Sequence, residues 1–321
     1  MKKIVSERQE GVRVGNLIVL AQPDQHSLNR SKDYYLARSY QVHETPHFVV
    51  CQKSSSTYTI VMHLFGQDEI DADLICFTEQ ELSALGLISS AQEYGGILFA
   101  LLASPFPSPR DQRLIWRQFC LNTLARLRLL ILDPLQRIPL SVSHVIPFAT
   151  LYQRVFELFV GRSFLDVGCC FGFLPVLMAE HKPEIGIVGC DNNPEILNIA
   201  QDLASVTQAQ QVQFIWQDVL TEHFCHQGLF DTVAAIHLLE HLSEQELPVA
   251  LTHLLSVTSQ RLLIAVPYEE EAQALYGHSQ VFTQDKLHFW GKWCVDQLGG
   301  HGRYWCEEIM GGLLIVERCS K

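Results

Sequence analysis

The chain has 321 residues, 48% of them hydrophobic, enough to bury a substantial core and to fill two domains, which excludes a disordered or low-complexity protein. Its net charge of −12 lies wholly in the second half: residues 1–160 carry fifteen basic and fifteen acidic side chains, residues 161–321 eight and twenty. That acidity repels a phosphate backbone and makes nucleic acid a disfavoured partner.

Residues 1–75 read as strands and turns, with one strand over 13–20, and with 47–52 and 57–64 flanking Lys53-Ser54-Ser55-Ser56 as a hairpin. Thr78-Glu79-Gln80-Glu81 resembles a helix N-cap with acids in the first turn. A second helix over 93–103 ends at the proline-rich connector 104–111. Residues 111–132 form the strongest helix of the first half, its apolar surface interrupted by Arg113, Arg117, Arg126 and Arg128. Two uses are open for it: a packed interdomain or dimer helix whose basic side chains reach solvent, or a surface for a membrane or an anionic ligand. Pro134, Pro139 and Pro147 then break the chain before a helix over 148–160.

The second half alternates strands (163–167, 185–190, 212–216, 230–236, 262–266) with helices (173–180, 194–204, 244–256, 284–298), and 304–308 and 313–318 are the last two strands. Such alternation predicts a mostly parallel sheet covered on both faces. Ten cysteines, at 51, 76, 120, 169, 170, 190, 225, 294, 306 and 319, contain no Cys-x-x-Cys ligand pair, and several sit in apolar runs that suit reduced thiols. The N-terminus shows no sustained apolar signal segment, and no uncharged apolar stretch reaches membrane-span length, so a cytoplasmic protein is expected.

Residues 162–179 combine an apolar strand, a glycine turn and a helix start, and the next strand ends at Asp191. Gly168 and Gly172 permit close backbone approach, and the Asp191 carboxylate can accept both hydroxyls of a ribose. No Gly-Lys-Ser/Thr ending is present to hold a nucleoside triphosphate. An adenosine-bearing cofactor is expected, with NAD and S-adenosylmethionine both open on these residues.

Residues 148–321 resemble the class I S-adenosylmethionine-dependent methyltransferases. The matching residues are Asp166-Val167-Gly168-Cys169-Cys170-Phe171-Gly172 as cofactor loop, Gly189-Cys190-Asp191 as ribose-binding acid, Gln217-Asp218 on the adenine side, and Leu239-Glu240-His241-Leu242 after the fourth strand. The resemblance implies an α/β fold: a doubly wound, seven-stranded methyltransferase sheet over 141–321, preceded by an N-terminal α+β domain over 1–140 that encloses substrate or makes a homodimer contact. It implies S-adenosylmethionine contacts from Asp166, Gly168, Cys170, Gly172, Asp191, Asn192, Asp218 and Val219, with His237 lining the pocket. Competing structural roles are a helix cap at Asp191 and a turn cap at Asp218. Cys170 stands where family members usually have glycine, which would narrow the loop or shift its φ. The resemblance also decides against NAD, because the family sheet ends in an antiparallel seventh strand and the first half shows no hydride-transfer signature. Fainter similarity, in 104–119, 266–271 and Tyr276-Gly277-His278, is to mycofactocin oligosaccharide methyltransferases, from which only O-methylation is taken.

His237-Leu238-Leu239-Glu240-His241 matches the string of an inverted zinc protease, but it follows the strand 230–236, so the helix such zinc chemistry needs is missing. Methyltransferases acting on base or amide nitrogens often carry Asn/Asp-Pro-Pro-Tyr here; its absence shifts the expectation to an oxygen nucleophile. A hydroxyl needs a base within hydrogen-bond reach, and the catalytic candidates are His278, then His241, beside Glu240. His237, Glu240, His241 and His278 also resemble the metal-holding cluster of RNA 3′-terminal 2′-O-methyltransferases, with one acid replaced by histidine. Mixed nitrogen and oxygen donors suit zinc, manganese or iron better than magnesium, yet the site expected is metal-free. The expected activity is methylation of a small-molecule hydroxyl, a sugar's among others. The alternatives are the metal-assisted RNA enzyme and a non-catalytic cofactor-binding or scaffolding protein.

Overall fold

Gly15, at φ +54°, splits the run that reads as one strand into a hairpin of β1 (Val12–Val14) and β2 (Leu17–Ala21). The computed structural model describes residues 11–134 and 143–319, which divide into one unit of 11–125 with 143–145 and another of 126–134 with 146–319. In the first unit the chain continues through α1 (Gln25–Leu36), β3 (Gln41–Glu44), β4 (Val49–Gln52), β5 (Thr59–His63), α2 (Asp73–Phe77) and α3 (Ala91–Ala103). The sheet order is β1-β2-β5-β4-β3; β4 and β5 form the expected hairpin, and β2 runs parallel to β5. Leu28 of α1 packs with Val49, Cys51, Ile60 and Met62.

Three further sequence expectations in this region are corrected. Helix α1 stands where strands and turns were expected; Asp24 caps it by accepting the Ser27 N–H at 2.6 Å, and Leu28 is its one buried residue, so it carries almost no apolar periodicity. Thr78 is not an N-cap: the helical run already begins at Asp73, passes through a π-helical turn at Thr78–Leu82, and takes the Thr78 hydroxyl as donor to the Leu74 carbonyl. Pro147 does not precede its helix. It lies in the first turn of α5 (Val145–Leu158), where a missing N–H costs no hydrogen bond.

The long helix α4 (Gln112–Leu132) buries Ile115, Phe119, Cys120, Leu124 and Leu127, while Arg128 makes a two-point pair with Glu180 through Nε at 2.9 Å and Nη2. No helix among the described residues is long and apolar enough to cross a membrane.

The second unit follows α5 with β6 (Ser163–Val167), α6 (Phe173–His181), β7 (Gly186–Asp191), α7 (Pro194–Ser205), β8 (Gln213–Trp216), β9 (Phe230–Ile236), α8 (Leu247–Val257), β10 (Thr258–Val266), α9 (Gln284–Gln297), β11 (Gly302–Glu308) and β12 (Gly312–Arg318). They form one seven-stranded sheet in the order β11-β12-β10-β9-β6-β7-β8. β6 to β10 are mutually parallel, and β12 runs antiparallel between β10 and β11. The inner strands read as unbroken apolar runs because both faces are covered, as in the buried Leu262–Val266 stretch of β10. From β6 the chain winds outward through β7 and β8, then returns to β9 on the other side of β6. That reversal leaves a crevice at the carboxyl ends of β6 and β9, the place where open α/β sheets hold ligands.

Candidate active site

The loop leaving β6 is shaped by three left-handed residues, Gly168 at φ +75°, Cys170 at +48° and Gly172 at +76°. A Cβ on Gly172 would lie 2.7 Å from the Phe214 ring, so glycine is required there by packing as well as by φ. The Gly168 and Cys169 N–H groups donate to the Cys190 carbonyl at 2.8 and 2.9 Å, which ties the loop to the end of β7. Asp191 completes the tie: Oδ2 accepts the Cys170 N–H at 3.0 Å and Oδ1 the Asn193 N–H at 2.9 Å. Helix α7 is capped by Asn193, not by Asp191. Cys170 therefore keeps the backbone shape expected of glycine.

Beneath the loop, Asp166 is buried on β6, and desolvation, reinforced by the nearby Asp191 carboxylate, holds its carboxyl well above the usual carboxylate range. Tyr152 of α5 is buried close by, and burial with the Asp166 charge likewise pushes its phenol up. Burial raises the thiols of Cys169 and Cys190 too, so neither offers a thiolate nucleophile. At the end of β8, Asp218 Oδ1 accepts the Leu220 N–H at 2.9 Å, the turn-capping role, while the Val219 carbonyl meets His253 Nδ1 at 2.7 Å.

Beyond β9, His237 has φ +52° and stands at the strand end, its ring 5.3 Å from Phe148. The following 3-10 turn, Leu239–His241, is pinned to residues 277–280. Ser279 N–H donates to the Glu240 carbonyl at 2.8 Å, Ser279 Oγ to the His241 carbonyl at 3.1 Å, and the Gln280 amide to the Leu239 and Leu242 carbonyls. This stitching sets His241 and His278 at 5.0 Å between ring centres beside Glu240. The Leu238 side chain faces Gly168, where an added Cβ would lie 3.0 Å from it, so the histidine turn and the glycine loop share one sheet edge.

Every site residue expected from the sequence stands at this carboxyl edge. Three contributors were not anticipated in their roles. Gln280 is a loop glutamine in sequence, and only the fold shows that it staples the 239–242 turn. Glu269 meets His278 Nδ1 at 2.9 Å. Trp216, 63% exposed at the end of β8, donates its indole N–H to the Asn192 carbonyl at 3.0 Å; an exposed tryptophan at a strand end was the available signal. A separate cavity of about 830 Å³, lined by Arg261, His301 and Arg318, opens near the start of β10 and the end of β12, away from this chemistry.

Residues 164–261 match the model of a methyltransferase domain. Among curated proteins, the ubiquinone biosynthesis O-methyltransferase of Pectobacterium atrosepticum is 32% identical over 114 residues, 35% of this chain and 43% of that protein. The ajmaline N-methyltransferase of Rauvolfia serpentina is 37% identical over 86 residues, 26% and 29% of the two chains. The chain thus spans less than half the length of the curated relatives it matches. Similar solved structures include the methyltransferase domain of bacterial CtHen1, with 18% identity and a TM-score of 0.44 over 53% of this chain and 97% of that one. Another is magnesium protoporphyrin IX methyltransferase from Synechocystis PCC 6803 with bound SAH, with 17% identity and a TM-score of 0.43 over 54% and 84%.

The residues present fit S-adenosylmethionine. Asp191 pairs with no basic side chain among the described residues, so its oxygens remain open to ribose hydroxyls beyond the two loop N–H groups they hold. Gly168 and Gly172 put no side chain into the crevice, and α6 starts at Phe173 without a side-chain cap.

Proposed function

We propose that this class I S-adenosylmethionine-dependent methyltransferase domain methylates a hydroxyl of a small molecule, a phenol or a sugar. The observation that carries the reading is the meeting of Glu240, His241 and His278 at the sheet edge that holds the cofactor loop. S-adenosylmethionine supplies an electrophilic methyl group when bound. Asp191 then holds the ribose, the Gly168–Gly172 loop passes the methionine portion, and Asp218 with Val219 meets adenine. A protonated hydroxyl is a poor nucleophile, so the residues that matter next are those able to take or weaken its O–H bond. Glu240, His241 and His278 are that set, acting directly or through an ion they share. The O-methyltransferase named among the relatives supports an oxygen acceptor, and His237-Leu238-Leu239-Glu240 where a nitrogen-specific motif would stand agrees.

The test is to incubate the purified chain with S-adenosylmethionine and separate panels of catechols, sugars and amines, and to follow S-adenosylhomocysteine release and product mass. Expected is methylation of a catechol or sugar hydroxyl with no product from the amines. Calorimetry showing affinity for NAD but none for S-adenosylmethionine or S-adenosylhomocysteine would sink the reading.

A further inference from the structure

Arg318, the last residue of β12, carries a guanidinium that the fold leaves incompletely matched. Its Nη2 donates to the Leu255 carbonyl at 2.7 Å, its Nε is buried without a partner, and no carboxylate among the described residues pairs with it. Burial with no opposing charge holds the group below its usual value. The acids nearby are already engaged. Glu317 pairs with Arg261 and accepts from Arg303 Nε and Nη2 at 3.0 and 2.7 Å. Asp231 accepts the Arg162 N–H, the Ser259 hydroxyl and the Gln260 amide. Leu255 lies in the last turn of α8, where the helix dipole presents only about half a negative charge. The end of α9 offers less, because the Gly299 and Gly300 N–H groups cap its Asp296 and Val295 carbonyls at 3.0 and 3.1 Å. A partly buried cation so placed gains from a further negative charge.

Space for one adjoins it. Arg318 lines the cavity of about 830 Å³, within the range of about 300–1,000 Å³ that takes a small organic ligand. Val160, Leu255 and Leu298 give it apolar wall, while Gln297 and His301 bring side-chain polar atoms that make no hydrogen bond among the described residues. These residues all belong to the second unit. They stand at the opposite end of the sheet from the cofactor crevice: Arg261, on the cavity wall, precedes Val266 by five residues of β10, roughly 17 Å along the strand.

We infer that this cavity is a second ligand site, for a small organic molecule whose single carboxylate meets Arg318. The charge count selects a monoanion over a doubly charged phosphate. Only one guanidinium is unmatched, only its Nη1 is uncommitted, and residues 161–321 around it carry twenty acids against eight bases. The apolar wall takes the body of the ligand, and Gln297 and His301 meet its polar substituents. Because the site lies at the far end of the sheet, its ligand binds without displacing the cofactor.

The test uses the 321-residue chain with benzoate as the probe, benzyl alcohol as its uncharged counterpart and inorganic phosphate as the dianion, followed by calorimetry and ligand-observed NMR. Expected is saturable binding of one benzoate per chain, at least about tenfold weaker binding of benzyl alcohol and of phosphate, and the same benzoate affinity in saturating S-adenosylhomocysteine. Arg318→Met should raise the benzoate Kd about 10- to 100-fold by removing a charge-assisted hydrogen bond. Gln297→Trp, at an exposed position on the cavity wall, should block the space and abolish binding without touching the core, which keeps the test decisive where Arg318→Met fails to fold. No saturable benzoate binding by the parent chain, or a Kd unchanged in these variants, overturns the proposal. Phosphate binding as tightly as benzoate overturns the carboxylate assignment, and displacement of benzoate by S-adenosylhomocysteine overturns the separate location.

Discussion

Cys170 occupies a backbone position that glycine would hold more easily. At φ +48° an L-residue pays about 1–2 kcal/mol for the left-handed conformation, and glycine would return about 0.5–1 kcal/mol of that as extra chain entropy lost on folding. Cys170→Gly should therefore stabilise the protein by about 0.5–1 kcal/mol, seen as a higher urea midpoint at unchanged slope. Cys170→Ala should gain nothing, since alanine keeps the strained φ; equal stabilisation by both variants would show that the thiol, not the backbone, is the source. Asp191 faces the same loop with a double duty, holding the Cys170 N–H and reading the ribose. Its replacement by alanine should cost about 1.5–3 kcal/mol of S-adenosylmethionine binding, roughly a 10- to 150-fold rise in Kd by calorimetry. An unchanged Kd would remove Asp191 from the ribose.

Strand β5 ends on a histidine that sets the acid limit of the first unit. His63 is fully buried; its Nε2 lies 2.7 Å from Ser104 Oγ, which itself donates to the Leu101 carbonyl, so Nε2 is the donor and Nδ1 is left as a buried atom with no partner. Protonation would place an N–H there with nothing to accept it, and burial accordingly pushes the imidazole down to about 3. Because the folded value lies below the unfolded value of about 6.5, the stability it confers is complete above pH 6.5. It is lost as pH falls from there toward 3, by about 1.4 kcal/mol per pH unit. Between pH 7 and pH 5 the parent should lose about 2 kcal/mol of unfolding free energy more than His63→Gln does, measured by urea titration. Equal losses would place the acid sensitivity elsewhere.

The same scale explains what was legible beforehand. Strands β6, β9 and β10 are buried on both faces and read as plain apolar runs, so the alternation of strand and helix and the acid at Asp191 were legible in the chain. Helix α1 hid because a helix with one buried residue has no periodicity to detect, and the strand before it hid a turn at Gly15. Within the site, Gly168, Gly172, Asp191 and the 237–241 turn were visible as motifs. Gln280 and the Glu269–His278 contact were not, because their meaning depends on the 277–280 segment returning to the end of β9, a tertiary fact with no local signature.

For the whole molecule, charge argues about the acceptor. Every unit of the net −12 lies after residue 160, in the half that carries the cofactor crevice. Binding to single-stranded RNA draws on release of condensed counterions by basic side chains, and a surface of the same sign as the phosphates works against that. One bound divalent ion would offset two charges there, far short of the imbalance. A fluorescently labelled single-stranded RNA with a free 3′ end should therefore show no saturable anisotropy change with micromolar protein at about 0.15 M salt, with or without Zn²⁺ or Mn²⁺. Lowering the salt, which lengthens electrostatic reach, should not rescue binding as it would for a basic groove. Saturable binding with a steep negative dependence on salt would reverse the inference. It would mean that a local basic track outweighs the net charge, and RNA would then replace a small molecule as the acceptor to test first.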